Sequence, residues 1–227
     1  MAAAALVLVG GGGCFTMKPM ALSREAPAPS LDPQQSLALA TLRLANVYKT
    51  GYQPHAKSLT VKGQGEKGER LTFDLGTPFK ASAAETDQFE EFLVSMALPP
   101  GAYAVTTSHA TASGFFILGN GLVEINSPFM LGPAQAVYLG RIDVTRRERV
   151  GDEPRAGIVI PLIDQAVSGF AGGTFDVKIV DRYDEDLAIM RAQFPALEKV
   201  TVEKQILPPP RREPPAPPAA EPQYGSS

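Results

Sequence analysis

The 227-residue chain has no tryptophan, one cysteine and two histidines. A single thiol cannot close an internal disulfide or complete a thiolate zinc site. The two histidines, His55 and His109, are too few for a histidine-rich metal centre, and no HExxH spacing occurs. There is no Gly-x-Ser-x-Gly elbow, and "GFAGG" (169–173) lacks the lysine and following hydroxyl residue of a phosphate-binding loop. The EF-hand pattern is also missing. The net charge is only −3 and is spread along the chain, without the basic stripe that marks a nucleic-acid binder. No apolar run reaches the ~20 residues that a spanning helix needs. The residues therefore imply no cofactor, no metal, no nucleic-acid partner and no complete catalytic set.

Glycine and proline are plentiful, 21 of each, and concentrate in turns and towards the two ends. The N-terminal stretch "LVLVGGGGCFT" places the only cysteine, Cys14, directly after a short apolar run and four glycines. The run has the length of a signal-peptide h-region and ends in the small residues that a signal peptidase accepts. Small residues leading into a cysteine resemble the lipobox of bacterial lipoproteins. The resemblance implies a signal peptide over 1–13, diacylglyceryl transfer to the Cys14 thiol, cleavage before it and acylation (palmitate or similar) of the new amine. Gly11 stands where the lipobox pattern has Leu, and no Lys or Arg precedes Lys18. Phe15 stands where many inner-membrane lipoproteins carry Asp, which places the expected anchor in the outer membrane, facing the periplasm. The same residues also read as a cleaved secretory signal with an incidental cysteine, or as an unstructured start.

Both flanks look like tethers. The segment 18–36 is rich in Pro, Ala, Ser and Gln without an apolar period, so 14–36 is expected to be a lipidated tether that cannot offset its ordering entropy. The tail 208–227 is proline-rich; a polyproline II form of 208–222 would extend on the order of 45 Å. It reads as a solvated disordered tail, or as a contact for another envelope protein.

Between them, 37–207 shows period-two alternation broken by turn signals, the pattern of an antiparallel β-sandwich. In "SLALATLRLANV" Leu37 and Leu39 have one parity and Leu42 and Leu44 the other, which predicts a bulge near Thr41. "SLTVKGQGEKGERLTFDLG" predicts a hairpin, with Leu59 and Val61 leading in and Leu71, Phe73 and Leu75 returning. "EEFLVSMALPPGAYAVTTSHA" predicts a strand pair about a type II turn at Pro100-Gly101, with Phe92, Val94, Met96 and Leu98 inward. Asn120-Gly121 in "FFILGNGLVEI" predicts a tight hairpin. "AVYLGRIDVTRRE" and "TFDVKIVD" alternate as strands. "GIVIPLI" predicts an edge strand, because Pro161 lacks a ladder donor. "YDEDLAIMRAQFP" predicts an amphipathic helix over 184–194, opened by acidic residues and laying Leu187, Met190 and Phe194 on the sheet. "KVTVEKQIL" predicts a last strand.

Taken together, "LPPGAYAV", "VYLGRIDV" and "TFDVKIVDRYDEDLAIMRAQFP" resemble envelope lipoproteins of unknown function with a transthyretin-like or carboxypeptidase-regulatory-like sandwich. The resemblance covers about half of the chain. It implies fold and address, and brings no catalytic residues.

The remaining chemistry is sparse. His109 follows Ser108, and with an acid the pair could form a hydrolytic triad. Adjacent strand residues point to opposite faces, which separates the two. Asp184, Glu185 and Asp186 fit helix capping better than cation binding. The four arginines of "RIDVTRRER" fit a solvated strand end offset by Glu148, Asp152 and Glu153. The expected function is a lipid-anchored envelope protein, joined to the membrane through Cys14, whose sandwich binds or scaffolds without catalysis. The alternatives are an envelope hydrolase using His109 and an assembly factor contacting a partner through its proline-rich tail.

Overall fold

A computed structural model describes residues 17–25, 31–65, 68–79, 89–114, 117–157 and 170–211. The described strands are β1 (Ser36–Asn46), β2 (His55–Gly63), β3 (Arg70–Asp74), β4 (Phe89–Leu98), β5 (Gly101–Gly114), β6 (Ile117–Leu131), β7 (Ala136–Glu148), β8 (Gly173–Val180) and β9 (Glu203–Lys204). One helix, α1 (Tyr183–Gln193), lies between β8 and β9 and is followed by a 3-10 turn at Pro195–Leu197. The protein is mainly β. One sheet runs β4-β1-β7-β8, with β9 beside β7; the other runs β3-β2-β5-β6.

A shared core joins the sheets, and alternation explains which residues enter it. Phe92, Val94, Met96 and Leu98 of β4 enter it from one sheet, with Val137, Leu139, Ile142 and Val144 of β7. Leu59 and Val61 of β2 and Leu71 and Phe73 of β3 enter it from the other. Phe175 is buried with them, and Val177 and Ile179 pack against them.

The mixed parity of β1 has a different cause from the expected bulge. Ala38, Ala40, Leu42 and Leu44 all face the shared core, while Leu37 and Leu39 face a second cluster with Tyr138, Leu187 and Met190. The first half of β1 is buried on both sides because α1 covers the outer one. The irregularity lies in β7. Between Leu39 and Thr41, β1 advances two residues while β7 advances three, from Tyr138 to Arg141. Gly140 takes φ +107 at this point, a conformation that L side chains rarely adopt. The extra residue switches the parity of Leu139 and Ile142 without moving either out of the core.

The β2–β3 hairpin forms as expected. Three pairing expectations change. The first sheet is mixed, because β1 and β9 both run parallel to β7. Parallel neighbours need a long crossover, and here β2–β6 supply it. Second, β4 and β5 do not pair with each other: Pro99-Pro100 carries the chain from one sheet to the other. Two prolines without N–H groups suit that crossing, and the Tyr103 hydroxyl caps it by donating to the Pro99 carbonyl (2.8 Å). Third, Asn120-Gly121 is mid-strand, with Asn120 opposite Thr111 and Gly121 opposite Ala110. A Cβ on Gly121 would lie 2.2 Å from Phe170 Cε1, so this glycine serves close packing instead of a turn. "IVIPLI" (158–163) lies outside the described residues.

The expected tether is also shorter than predicted. The Lys18 amide donates to the Thr72 carbonyl and the Asp74 amide to the Lys18 carbonyl, both at 2.8 Å. The Ala21 amide donates to the Ser95 carbonyl (2.8 Å) and the Leu22 amide to Ser95 Oγ (3.0 Å), and Leu22 is buried. Residues 18–22 thus run between the outer edges of β3 and β4. Backbone groups make these bonds, so the segment has no side-chain period to read. At the other end, the Leu207 amide donates to the Leu139 carbonyl (2.8 Å) and Ser127 Oγ to the Pro208 carbonyl (2.6 Å). Residues 212–227 of the proline-rich tail, like Cys14, lie outside the described residues.

Candidate functional site

Ser108 and His109 separate as alternation requires. Ser108 is buried and its Oγ donates to the Ser58 carbonyl (2.9 Å), whereas His109 is exposed on the opposite face. The pair therefore does not form a nucleophile and base. His109 instead borders a cavity of about 530 Å³ at the β6 and β8 edges of the two sheets. Residues 154–157 bridge those edges. The Ala156 amide donates to the Gly173 carbonyl (2.8 Å), and the Leu122 amide donates to the Ala156 carbonyl (3.1 Å). Leu122, Glu124 and Arg155 line the rim, and Gly121 and Phe175 the wall. This volume and this mixture of apolar wall and polar rim suit a small ligand or an inserted side chain.

The acidic triplet divides. Asp184 and Glu185 are exposed, but Asp186 is fully buried on the same helical face as Met190. Its carboxylate accepts from the Tyr138 hydroxyl (2.6 Å) and is paired in fork fashion by Arg141 Nε and Nη2. Burial, then the bond to Asp186, pushes the Tyr138 phenol far up, so it stays a donor. Burial opposes charge on Arg141, but its bond to Asp186 and the surrounding carboxylates outweigh that and raise its pKa. Glu91 and Asp143 share this outer face of the first sheet; burial raises both carboxyls, opposed chiefly by Arg141 at Glu91 and by Arg43 at Asp143. The group is a structural lock between α1 and the sheet. A carboxylate four residues before Met190, on the apolar face of the helix, was the sequence signal for it.

The arginine run is not a solvated patch. Arg147 is held by Glu153 (2.6 Å) and Asp176 (2.7 Å). Arg146 is fully buried in the shared core, donating to the Tyr52 carbonyl (2.6 Å) with its guanidinium 4.2 Å from the Phe170 ring centre. Its Nε and Nη1 have no hydrogen-bond partner among the described residues, and burial lowers its pKa to about 10. A buried charge with no carboxylate paired to it among the described residues weakens the fold. The Tyr52 carbonyl keeps a second donor, Asn46 Nδ2 (2.8 Å), when Arg146 is removed. Arg146→Met is therefore expected to stabilise the protein by about 1–2 kcal/mol in denaturant melts. A loss of stability would show that the guanidinium holds the core together.

Among the described residues, no cluster of three or more His, Cys, Asp or Glu side chains could hold a metal ion. No described helix is long and apolar enough to cross a membrane. No protein-family model, curated protein or solved structure matches this chain.

Proposed function

We propose that the protein is a lipid-anchored component of the bacterial cell envelope, attached through Cys14 to the outer membrane and facing the periplasm. In this reading the two sheets form a transthyretin-like β-sandwich that acts as a binding or scaffolding module. The observation that carries the reading is the apolar run and the small residues that lead directly into Cys14; the approach from there to the fold is short. Only residues 15–17 separate Cys14 from Lys18, which already bonds to β3. A lipid at Cys14 therefore attaches to the edge of the folded unit. Binding is favoured over catalysis because Ser108 and His109 face opposite sides, while the cavity beside His109 offers a ligand-sized recess.

The mass of the mature N-terminal peptide from detergent-extracted protein tests the reading. A di- or triacylated peptide beginning at Cys14 is expected, and Cys14→Ser should move the protein to the soluble fraction. An unmodified peptide beginning at Met1 or Ala2 would remove the anchor.

A further inference from the structure

We infer that the β3–β4 side is the surface that rests on the bilayer, and that an apolar groove there takes up acyl-chain surface. The inference rests on the proposed lipidation of Cys14. Four Cα steps from Cys14 to Lys18 span at most ~14 Å. A lipid inserted at Cys14 must therefore hold the edges bonded to residues 18–22 at the headgroup layer.

What lies at those edges suits that position. A groove of about 550 Å³ runs beside the segment that leads from Cys14. Its lining includes Met20, Leu22, Leu75, Phe79, Leu93 and Phe194. Arg24 lies on the rim, where its guanidinium bonds to Gln193 Oε1 (3.1 Å from Nε) at the end of α1. Met17, next to the first bonded residue, is 52% exposed. Lys18 and Arg24 stand beside this apolar surface together with Glu25 and the lining residue Asp74, so the local charge is balanced and the apolar lining, with long side chains that can reach the headgroups, is what suits a lipid interface. Sheet order adds a direction. β3 and β4 end their sheets on this side, and β6 and β8 end them on the other. The His109 cavity therefore lies on the far edges, away from the lipid.

The absence of tryptophan gives a clean background for single-Trp probes. Phe79→Trp reports the groove, and Met17→Trp, at an exposed position, reports the same side without disturbing the core. Leu122→Trp, at a residue 51% exposed on β6, reports the far edge. Each full-length protein is extracted in detergent, its Cys14 peptide weighed, and the remainder reconstituted into phosphatidylethanolamine–phosphatidylglycerol vesicles with brominated acyl chains. With Cys14 acylated, emission from the Phe79→Trp and Met17→Trp variants should shift to shorter wavelength and fall by about half, as expected of side chains at the acyl boundary. Emission from the Leu122→Trp variant should not change. Acylated protein in which neither near-side probe is quenched, or all three are quenched alike, overturns the orientation and leaves the anchor standing. Unacylated Cys14 removes both.

Discussion

Asp186→Ala is expected to destabilise the protein by about 3–5 kcal/mol, because it leaves the Arg141 guanidinium buried without its counter-ion. For a chain of this size that lowers the unfolding midpoint by on the order of 10 °C. The loss has two parts. Arg141 loses both arms of its fork, and the Tyr138 hydroxyl loses its acceptor in a fully buried position. Alanine is the better helix former, which offsets only a few tenths of a kcal/mol. Replacing Arg141→Met, Tyr138→Phe and Asp186→Leu together should recover part of the loss, the remainder falling on the buried Glu91, whose carboxyl then lacks the Arg141 charge and titrates higher still. Thermal unfolding followed by circular dichroism separates the cases. A single variant within about 1 kcal/mol of the parent would mean that water or the Glu91 and Asp143 carboxylates satisfy Arg141 in place of Asp186, and the lock would be peripheral.

The second large effect is expected at Gly121. A β-carbon there would sit 2.2 Å from Phe170 Cε1, 2.5 Å from Cδ1 and 2.6 Å from the Ala156 carbonyl oxygen. The ring could turn away, but the carbonyl is tied to the Leu122 amide and cannot retreat without breaking that bond. Gly121→Ala should therefore cost about 3 kcal/mol, at the upper end of overpacking penalties, and loosen the wall of the His109 cavity. Gly51→Ala is the control. Nothing lies within 4 Å of its would-be Cβ, so a change within about 0.5 kcal/mol is expected. Equal behaviour of the two variants would disprove the close-packing role of Gly121.

Side-chain period carried most of the fold. Alternation in β4, β7 and β8 marked the inward residues, and the helical spacing of Leu187 and Met190 marked the buried face of α1. Such patterns report how many faces of an element are covered. They are silent about which strand lies next to which. The parallel neighbours β1 and β7, and the change of sheet at Pro99-Pro100, depend on contacts between distant segments. Turn dipeptides misled in the same way. Asn120-Gly121 has hairpin chemistry, but its glycine is required by Phe170, which is remote in sequence. The buried arginines were missed for a related reason. Arg141 and Arg146 stand in a run that reads as hydrophilic, and only the bulge at Gly140 and the cover of α1 decide which face each one meets. Of the candidate site, the separation of Ser108 from His109 was legible, because it needs only strand geometry. The cavity beside His109 was not, because residues 154–157 reach it from another part of the chain.

Residues 18–22 also act as a selvedge. β3 and β4 are terminal strands, and a terminal strand with unpaired backbone groups is a template on which further copies can stack. Short stretches of main chain cover both at once, at Thr72 and Asp74 on one sheet and at Ser95 on the other. Proteolytic trimming past Leu22 would open these two seams together. Residues 18–22 thus guard the molecule against self-stacking, and a truncation that discards them removes that guard.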